Sequence, residues 1–362
     1  MKILLTGGRS MIGAAVARQL AARGDQVTVL QRRPAELGLP EVLADLADPA
    51  DTDTIRRAVD GQDAVIHLAA KVGISGSWPE FFAANVTGTD TIVTACRDLG
   101  VPRLVYVSSP SVAHSGSALV GVGATPADPE HASGHYARSK AMAEQLALAA
   151  DGSELRVLAI RPHVVWGPGD TQLVERIIDR ARRGSLPVLG TGAALVDSTY
   201  VDNAVDATIA ALDRVDEVHG CALVVTNGEP RPIAELIAGF AAAGGAPAPA
   251  RHVPAALGRF AGSAVEAIWG ARRMLGRPAA GDPPMTRFLA EQLSTAHWFD
   301  QRQTRELLHW QPRVDLDTGF TRLAAAYALT EITSGSASCP FPPAARPEIN
   351  STNPVPKGTA GV

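Results

Sequence analysis

A doubly wound α/β fold on a parallel sheet is what this sequence predicts, and three observations predict it. Short β-branched runs alternate with amphipathic stretches through the first half of the chain. Those stretches end at Gly24, Gly61 and Gly100, the residue type that closes a helix in left-handed conformation at least cost. The first strand-to-helix junction is glycine-rich, "TGGRSMIG" at residues 6–13. Alternation of this kind sandwiches a parallel sheet between two helical layers.

The elements follow in order. "KILLT" (2–6), "VTVL" (27–30), "AVIHLA" (64–69) and "RLVYVSS" (103–109) read as strands, each a β-branched or aromatic run bounded by turn residues. "IGAAVARQLAARG" (12–24), "TDTIRRAVDG" (52–61) and "NVTGTDTIVTACRDLG" (85–100) carry apolar residues at helical spacing between them. A helix beginning near Tyr136 leads to a fifth strand, "RVLAI" (156–160). After "RPHVVWGPGD" (161–170) the elements shorten and the loops lengthen. "VERIIDRARRG" and "STYVDNAVDATIAALDRV" hold helices, and "CALVVT" (221–226) is a late strand. Residues 254–276 place Leu257, Phe260, Ala261, Ala264, Val265, Ile268 and Leu275 at helical spacing, which predicts a core-facing helix, with a greasy lid or membrane-surface contact as the alternative. From Ser334 the chain holds six prolines and no periodicity, so a disordered tail is expected over 331–362.

The glycine loop sits where a Rossmann-type fold binds a dinucleotide. There the first glycine makes the tight turn, the second admits the pyrophosphate, and the third lets helix pack on strand. Gly7 and Gly13 take the first and third places, and Ser10 takes the second. Serine fits if its φ stays negative, and its hydroxyl could donate to a phosphate oxygen. Arg9, Met11 and Ile12 complete the loop. At the end of the second strand an acid would take ribose hydroxyls, but here stand Gln31, Arg32 and Arg33. Arginines after a neutral residue suit a 2′-phosphate, so NADPH is expected over NADH, with Arg9 as a further cation. The organisation expected is a nucleotide-binding domain over 1–165, with segments returning near 195–228, and a smaller substrate-binding region over 166–330.

"YARSK" brings Tyr136 and Lys140 to one helix face, where an ammonium favours the tyrosinate and makes a phenol of pKa about 10 usable nearer neutrality. "YVSSPSV" (106–112) places Ser108 and Ser109 beyond the carboxyl end of the fourth strand, where open α/β sheets bind ligands. A hydroxyl there can hold a carbonyl oxygen while Tyr136 protonates it. His67, His114 and His163 lie near these segments and read as structural or exposed; no metal-ligand spacing is present.

This ordered set resembles the extended short-chain dehydrogenase/reductases, from Met1 to about residue 325. The glycine loop is similar to that family's TGGxGxxG, "DAVIHLAA" to its D-x-x-x-H-x-A-A, and "NVTGT" to its NVxGT. The resemblance implies that Asp45 of "DLAD", with Leu46, reaches the adenine, and that Ala69 and Ala70 flank the cofactor. It further implies that Pro162 and Val165 lie by the nicotinamide, and that Asn85 positions Lys140 through water. Aligning "SSPSV" selects Ser109 over Ser108 as the catalytic hydroxyl. Within the 3β-hydroxysteroid dehydrogenase branch, "LVDSTYVDNA", "NGEPRPIAEL" and "MTRFLAEQLSTAHWF" look like the 2-alkyl-3-oxoalkanoate reductases of bacterial olefin biosynthesis. That likeness implies NADPH-dependent reduction of a long-chain 2-alkyl-3-keto acid to its 3-hydroxy acid. A sterol dehydrogenase, a nucleotide-sugar epimerase or dehydratase, and an NADPH-sensing module without turnover are the other readings.

Composition bounds these expectations. A net charge of −4 and a pI of about 6.1 argue against a nucleic-acid partner. Three scattered cysteines form no disulfide framework, "MKILL" lacks a signal-peptide h-region, and no apolar run approaches a membrane span. A cytoplasmic chain is expected, with membrane association, a homodimer or contact with olefin-pathway enzymes open as partners of a hydrophobic-substrate enzyme.

Overall fold

The computed structural model describes residues 1–73, 76–114, 116–274 and 294–335. Seven strands form one sheet: β1 (Lys2–Thr6), β2 (Gln26–Gln31), β3 (Glu41–Leu43), β4 (Ala64–His67), β5 (Arg103–Val107), β7 (Arg156–Pro162) and β12 (Cys221–Val225). Their order is β12-β7-β5-β4-β1-β2-β3 and every pairing is parallel. This is the Rossmann-type sheet, and the strand order reverses beside β1, which opens a crevice between the ends of β1 and β4. The short third strand carries too little pattern to stand out in the sequence.

Helices α1 (Met11–Ala22), α2 (Thr52–Val59), α3 (Trp78–Phe81), α4 (Gly88–Asp98) and α5 (Gly134–Ala149) accompany this sheet, and a π-helical turn, Phe82–Thr87, leads into α4. The glycines expected to close helices do so at positive φ, Gly24 at 96°, Gly61 at 69° and Gly100 at 68°. Two apolar cores lie on opposite faces of the sheet's alternating side chains. One holds Ile3, Leu5, Val16 and Leu20 and the other Leu4, Ile55, Ile92 and Val157.

The remainder is built of short pieces. A second sheet of four strands joins β6 (Leu119–Val122), β10 (Leu195–Val196), β13 (Arg231–Pro232) and β15 (His297–Phe299). Two-stranded ladders pair β8 (Val165–Trp166) with β11 (Thr199–Tyr200) and β9 (Val188–Leu189) with β14 (His252–Val253). Around these lie α6 (Val174–Arg182), α7 (Val201–Arg214), α8 (Ile233–Ala243), α9 (Ala255–Met274), α10 (Arg302–Leu308) and α11 (Leu316–Gly335). Trp166 stacks on Phe320 and meets Tyr200 and Phe240 edge-on, an aromatic cluster that joins these pieces.

Two expectations are corrected here. The helix over 254–276 is not core-facing. Leu257, Phe260 and Ile268 are 57%, 74% and 53% exposed, whereas Gly258 and Gly262 are buried. The reason is close approach: a Cβ on Gly258 would stand 2.9 Å from the Leu189 side chain, so a glycine face docks and the apolar face is left outward. The chain also stays helical to Gly335, past residue 331, where the expected tail begins. Residues 275–293 and 336–362, with the end of the expected helix, part of "MTRFLAEQLSTAHWF" and most of the tail, lie outside the described residues. No described helix is long and apolar enough to cross a membrane.

Between α5 and β7 lies a buried ion pair. The Arg161 Nε donates to Glu144 at 2.8 Å and its Nη1 to the Thr125 carbonyl at 2.7 Å. Removing one partner strands the other charge in the interior. Glu144→Ala is expected to destabilise the fold by about 3–5 kcal/mol, whereas the pair Glu144→Leu with Arg161→Met costs far less. Urea unfolding of the three proteins checks this.

Candidate active site

The site begins at the glycine loop. Gly7 adopts φ 82°, and a Cβ there would stand 2.8 Å from the Ala69 amide nitrogen. A Cβ on Gly13 would stand 2.4 Å from the Gly7 carbonyl, and one on Gly8, a position the motif reading passed over, 2.4 Å from Val29. Ser10 keeps φ at −72° and caps α1. Its Oγ accepts from the Gly13 amide at 3.0 Å and donates to the Gly7 carbonyl at 2.9 Å. The hydroxyl expected to reach a phosphate is thus committed within the loop. Serine suffices because the position never needs positive φ. The helical ladder starts at Ala14, bonded to the Ser10 carbonyl, so the Met11 and Ile12 amides, in the first turn of α1, are the donors the loop offers an anion.

Beside the loop, β2 ends on Gln31, whose buried side-chain amide has no partner among the described residues. Arg9, Arg32 and Arg33 are exposed, and Arg32 makes only a 3.7 Å pair with the half-exposed Asp45. The Asp45 amide is held by Asp51 at 2.7 Å and Leu46 is buried behind it. An orphaned amide, uncommitted helix donors and a glycine cradle that side chains would fill together fit a dinucleotide.

A hydrogen-bonded chain fixes the crevice wall. The Thr6 hydroxyl accepts from the Ala69 amide at 3.0 Å and therefore donates to His67 Nδ1 at 2.7 Å. The Thr89 hydroxyl donates to the Asn85 carbonyl at 2.7 Å, so it accepts from His67 Nε2–H at 3.0 Å. Burial, then the nearby Lys140 charge, pushes the His67 pKa down to about 3, keeping the ring neutral with one assigned proton. His67 is structural, as the sequence reading favoured.

Asn85 is buried and joins two segments by direct bonds. Its side chain accepts from the Lys71 amide at 2.6 Å and donates to the Lys71 carbonyl at 3.1 Å and to Ser139 Oγ at 2.9 Å. Ser139 in turn donates to the Tyr136 carbonyl at 2.9 Å. Asn85 directly ties the loop after β4, where Ala69 and Ala70 lie, to the backbone of α5.

Ser109 caps a short 3₁₀ turn after β5 and hydrogen-bonds Tyr136, while Ser108 Oγ is buried with no partner among the described residues. Tyr136 is raised above the ordinary phenol value by burial, with the Ser109 bond opposing. Lys140 points elsewhere: its Nζ donates to the Val107 carbonyl at 2.8 Å and lies 4.1 Å from the Tyr106 ring centroid. Burial pulls its pKa down to about 7, with Glu144 opposing. Lys140 is a buried amine one helical turn from Tyr136, held at the end of β5. Pro162 ends β7 and Val165 starts β8, flanking a bend in which Val164 takes φ 42°.

Ser109, Tyr136, His114, His163, Val164 and His297 line one pocket of about 150 Å³. His297 stands in "MTRFLAEQLSTAHWF", a stretch that carries a family likeness but no local signal linking it to the site, and the two other histidines read as bland. The described residues contain no cluster able to hold a metal.

Residues 3–225 match the NAD dependent epimerase/dehydratase family. The chain is 41% identical to a 2-alkyl-3-oxoalkanoate reductase of Stenotrophomonas maltophilia, over 91% of this chain and all of that one. It is 34% identical to a protein of the same name from Shewanella oneidensis, over 89% and 85% of the two chains. Among solved structures it is similar to MoeE5 in complex with UDP-glucose and NAD, at 26% identity and a TM-score of 0.68, over 93% of this chain and all of that one.

His67, His163 and His297 are buried and held neutral, with pKa values near 3, 3 and 4 against 6.5 unfolded. The unfolded chain therefore binds more protons below pH 6.5. Stability is expected to be lost as pH falls from about 6.5 toward 4, by about 1.4 kcal/mol per pH unit for each fully titrating group. Urea midpoints between pH 7 and 5 check the direction.

Proposed function

The chain belongs to the NAD dependent epimerase/dehydratase family and is an oxidoreductase of the extended short-chain type, and from that premise we propose its reaction. It reduces the 3-keto group of a long-chain 2-alkyl-3-oxoalkanoic acid to the 3-hydroxy acid, with NADPH. The observation that carries this reading is the convergence of Ser109 and Tyr136 on one pocket, with Lys140 buried a turn away, in a chain 41% identical to a reductase of that name.

The residues divide the work. The Met11 and Ile12 amides at the start of α1 would hold the pyrophosphate, the Gln31 amide and Asp45 the adenosine end, and Arg32 and Arg33 a 2′-phosphate. Absence of an acid at the end of β2 supports NADPH, since a carboxylate there would repel that phosphate. When bound, the nicotinamide supplies the hydride. Ser109 and Tyr136 hold the ketone oxygen by hydrogen bonds and so orient the carbonyl carbon. Tyr136 gives its phenolic proton to that oxygen as the C–H bond forms. Burial that raises the phenol keeps it protonated, which is what an acid in the reducing direction needs. The cation at Lys140 offsets the negative charge left on Tyr136.

The free 3-keto acids decarboxylate readily, so oxidation of the hydroxy acids is the safer assay. Long-chain 2-alkyl-3-hydroxy acids with NADP⁺ are expected to give cofactor reduction faster than with NAD⁺. Turnover of a 3β-hydroxysteroid or a nucleotide sugar alone overturns the reading. Tyr136→Phe is expected to lower kcat by about 10²–10⁴-fold while NADPH binding, followed by fluorescence, is retained. Loss of NADPH binding together with turnover would assign Tyr136 a structural part instead.

A further inference from the structure

The pocket beside Tyr136 contains polar groups that ketone reduction alone does not use. His163 is 8% exposed and His297 1%, and both rings face Ser109 and Tyr136 across one cavity. His163 Nε2 and His297 Nδ1 are buried with no partner among the described residues. Unpaired buried polar atoms are costly and few in native proteins, so two in one pocket point to a ligand group that completes them.

The proton positions can be followed. The Gly116 amide donates to His114 Nδ1 at 3.3 Å, so His114 carries its proton on Nε2. That Nε2 lies 2.9 Å from His297 Nε2, which must then accept. The proton of His297 is therefore on Nδ1, the partnerless atom, which makes it a donor in want of an acceptor. His163 is aimed from a pinned backbone. Its amide donates to the Val225 carbonyl at 3.1 Å and its carbonyl accepts from the Thr199 hydroxyl at 2.7 Å. The next residue, Val164, is held at φ 42°, a costly conformation for a β-branched side chain.

Burial is the largest cause of both depressed pKa values, so at neutral pH the two rings are uncharged and the pocket offers a ligand N–H donors and not fixed charge. A metal is not indicated, since one nitrogen of each of two rings is used in the ring-to-ring bond. The pocket, about 150 Å³, has room for a small polar head group.

We propose that this pocket is the subsite for the substrate carboxylate, with His163 and His297 as its donors, beside the Ser109 and Tyr136 hydroxyls that take the ketone oxygen. This rests on the keto-acid reading above and assigns it an acid-recognising pair. Holding the carboxylate and the ketone oxygen on one rigid wall also fixes which face of the carbonyl is presented.

The test compares a 2-alkyl-3-hydroxy acid with its methyl ester, each with NADP⁺, in the native enzyme and in His163→Leu, His297→Leu and His163→Gln. A hydrogen bond to a charged group is worth about 1.5–3 kcal/mol, so the native enzyme should favour the acid about ten- to a hundredfold in kcat/KM. The leucine variants should lose that preference because KM for the acid rises at least tenfold more than KM for the ester, and His163→Gln, which keeps an amide donor, should retain most of it. Equal efficiency on acid and ester in the native enzyme overturns the carboxylate subsite while leaving the reductase reading intact, whatever the variants do. Losses equal for acid and ester in folded variants overturn it too. No turnover of either compound by the native enzyme removes the reductase reading and this assignment with it.

Discussion

One threonine hydroxyl holds the site together. Thr6 ends β1 at the point where the strand order reverses, so the chain leaving β1 and the chain leaving β4 must diverge there. Divergence opens the crevice just past the last paired residues, Thr6 and His67. The Thr6 side chain spans it by accepting from the Ala69 amide and donating to His67. The bond continues through Thr89 to the Asn85 carbonyl, and the Asn85 side chain reaches Lys71 and, through Ser139, the backbone of Tyr136. The glycine loop, the loop after β4 and the helix that carries Tyr136 are thus tied into one chain of directional bonds. In a low-dielectric interior such bonds are strong when complete and costly when broken, which makes the spacing of these three segments rigid.

The same interior sets the charge state of the site. Lys140 is pulled down to about 7, Tyr136 is raised, and His163 and His297 are held near 3 and 4. Each shift has burial as its largest cause, and each favours the neutral form. Apart from Lys140, whose value of about 7 leaves it partly charged at neutral pH, the site presents neutral, oriented donors. Anionic groups arriving with the reactants meet donors whose desolvation was met on folding, so their own charge becomes the dominant field in the pocket. In the proposed reaction such donors run from the cofactor end to the substrate end: amides at α1, hydroxyls at Ser109 and Tyr136, imidazole nitrogens at His163 and His297.

What could be read beforehand follows from the range of each interaction. The strands, the glycine-closed helices, the loop at residues 6–13 and the Tyr136–Lys140 pair are local patterns, and local spacing encodes them. Even Ser10 was legible, because what its position requires is a φ, not a glycine. The Asn85 bonds were not legible, since Lys71 and Ser139 reach it from other elements. Nor was His297, which enters the pocket only because β15 pairs with β6 in a sheet made of short, distant pieces. The 254–276 helix shows the opposite failure. Its apolar periodicity is real, but Gly258 permits a closer approach to Leu189 than a large residue does, so the periodic face was the wrong one to bury.

That inversion bears on how a long-chain substrate would be accommodated. The pocket is small and walled largely by hydroxyls and imidazoles, so for the substrate proposed above it would enclose the reacting carbons and their oxygens and leave the alkyl chains outside. Alkyl chains leaving a polar pocket need apolar surface, at about 25 cal/mol for each Å² removed from water. The described chain keeps Leu257, Phe260 and Ile268 on the outer face of α9, where an isolated enzyme gains nothing from them. Specificity for chain length would then reside in surface of that kind, which tolerates variation, whereas specificity for the reacting head resides in directional donors that do not. A fold of this class can in that way keep one chemistry fixed while the apolar part of its substrate changes.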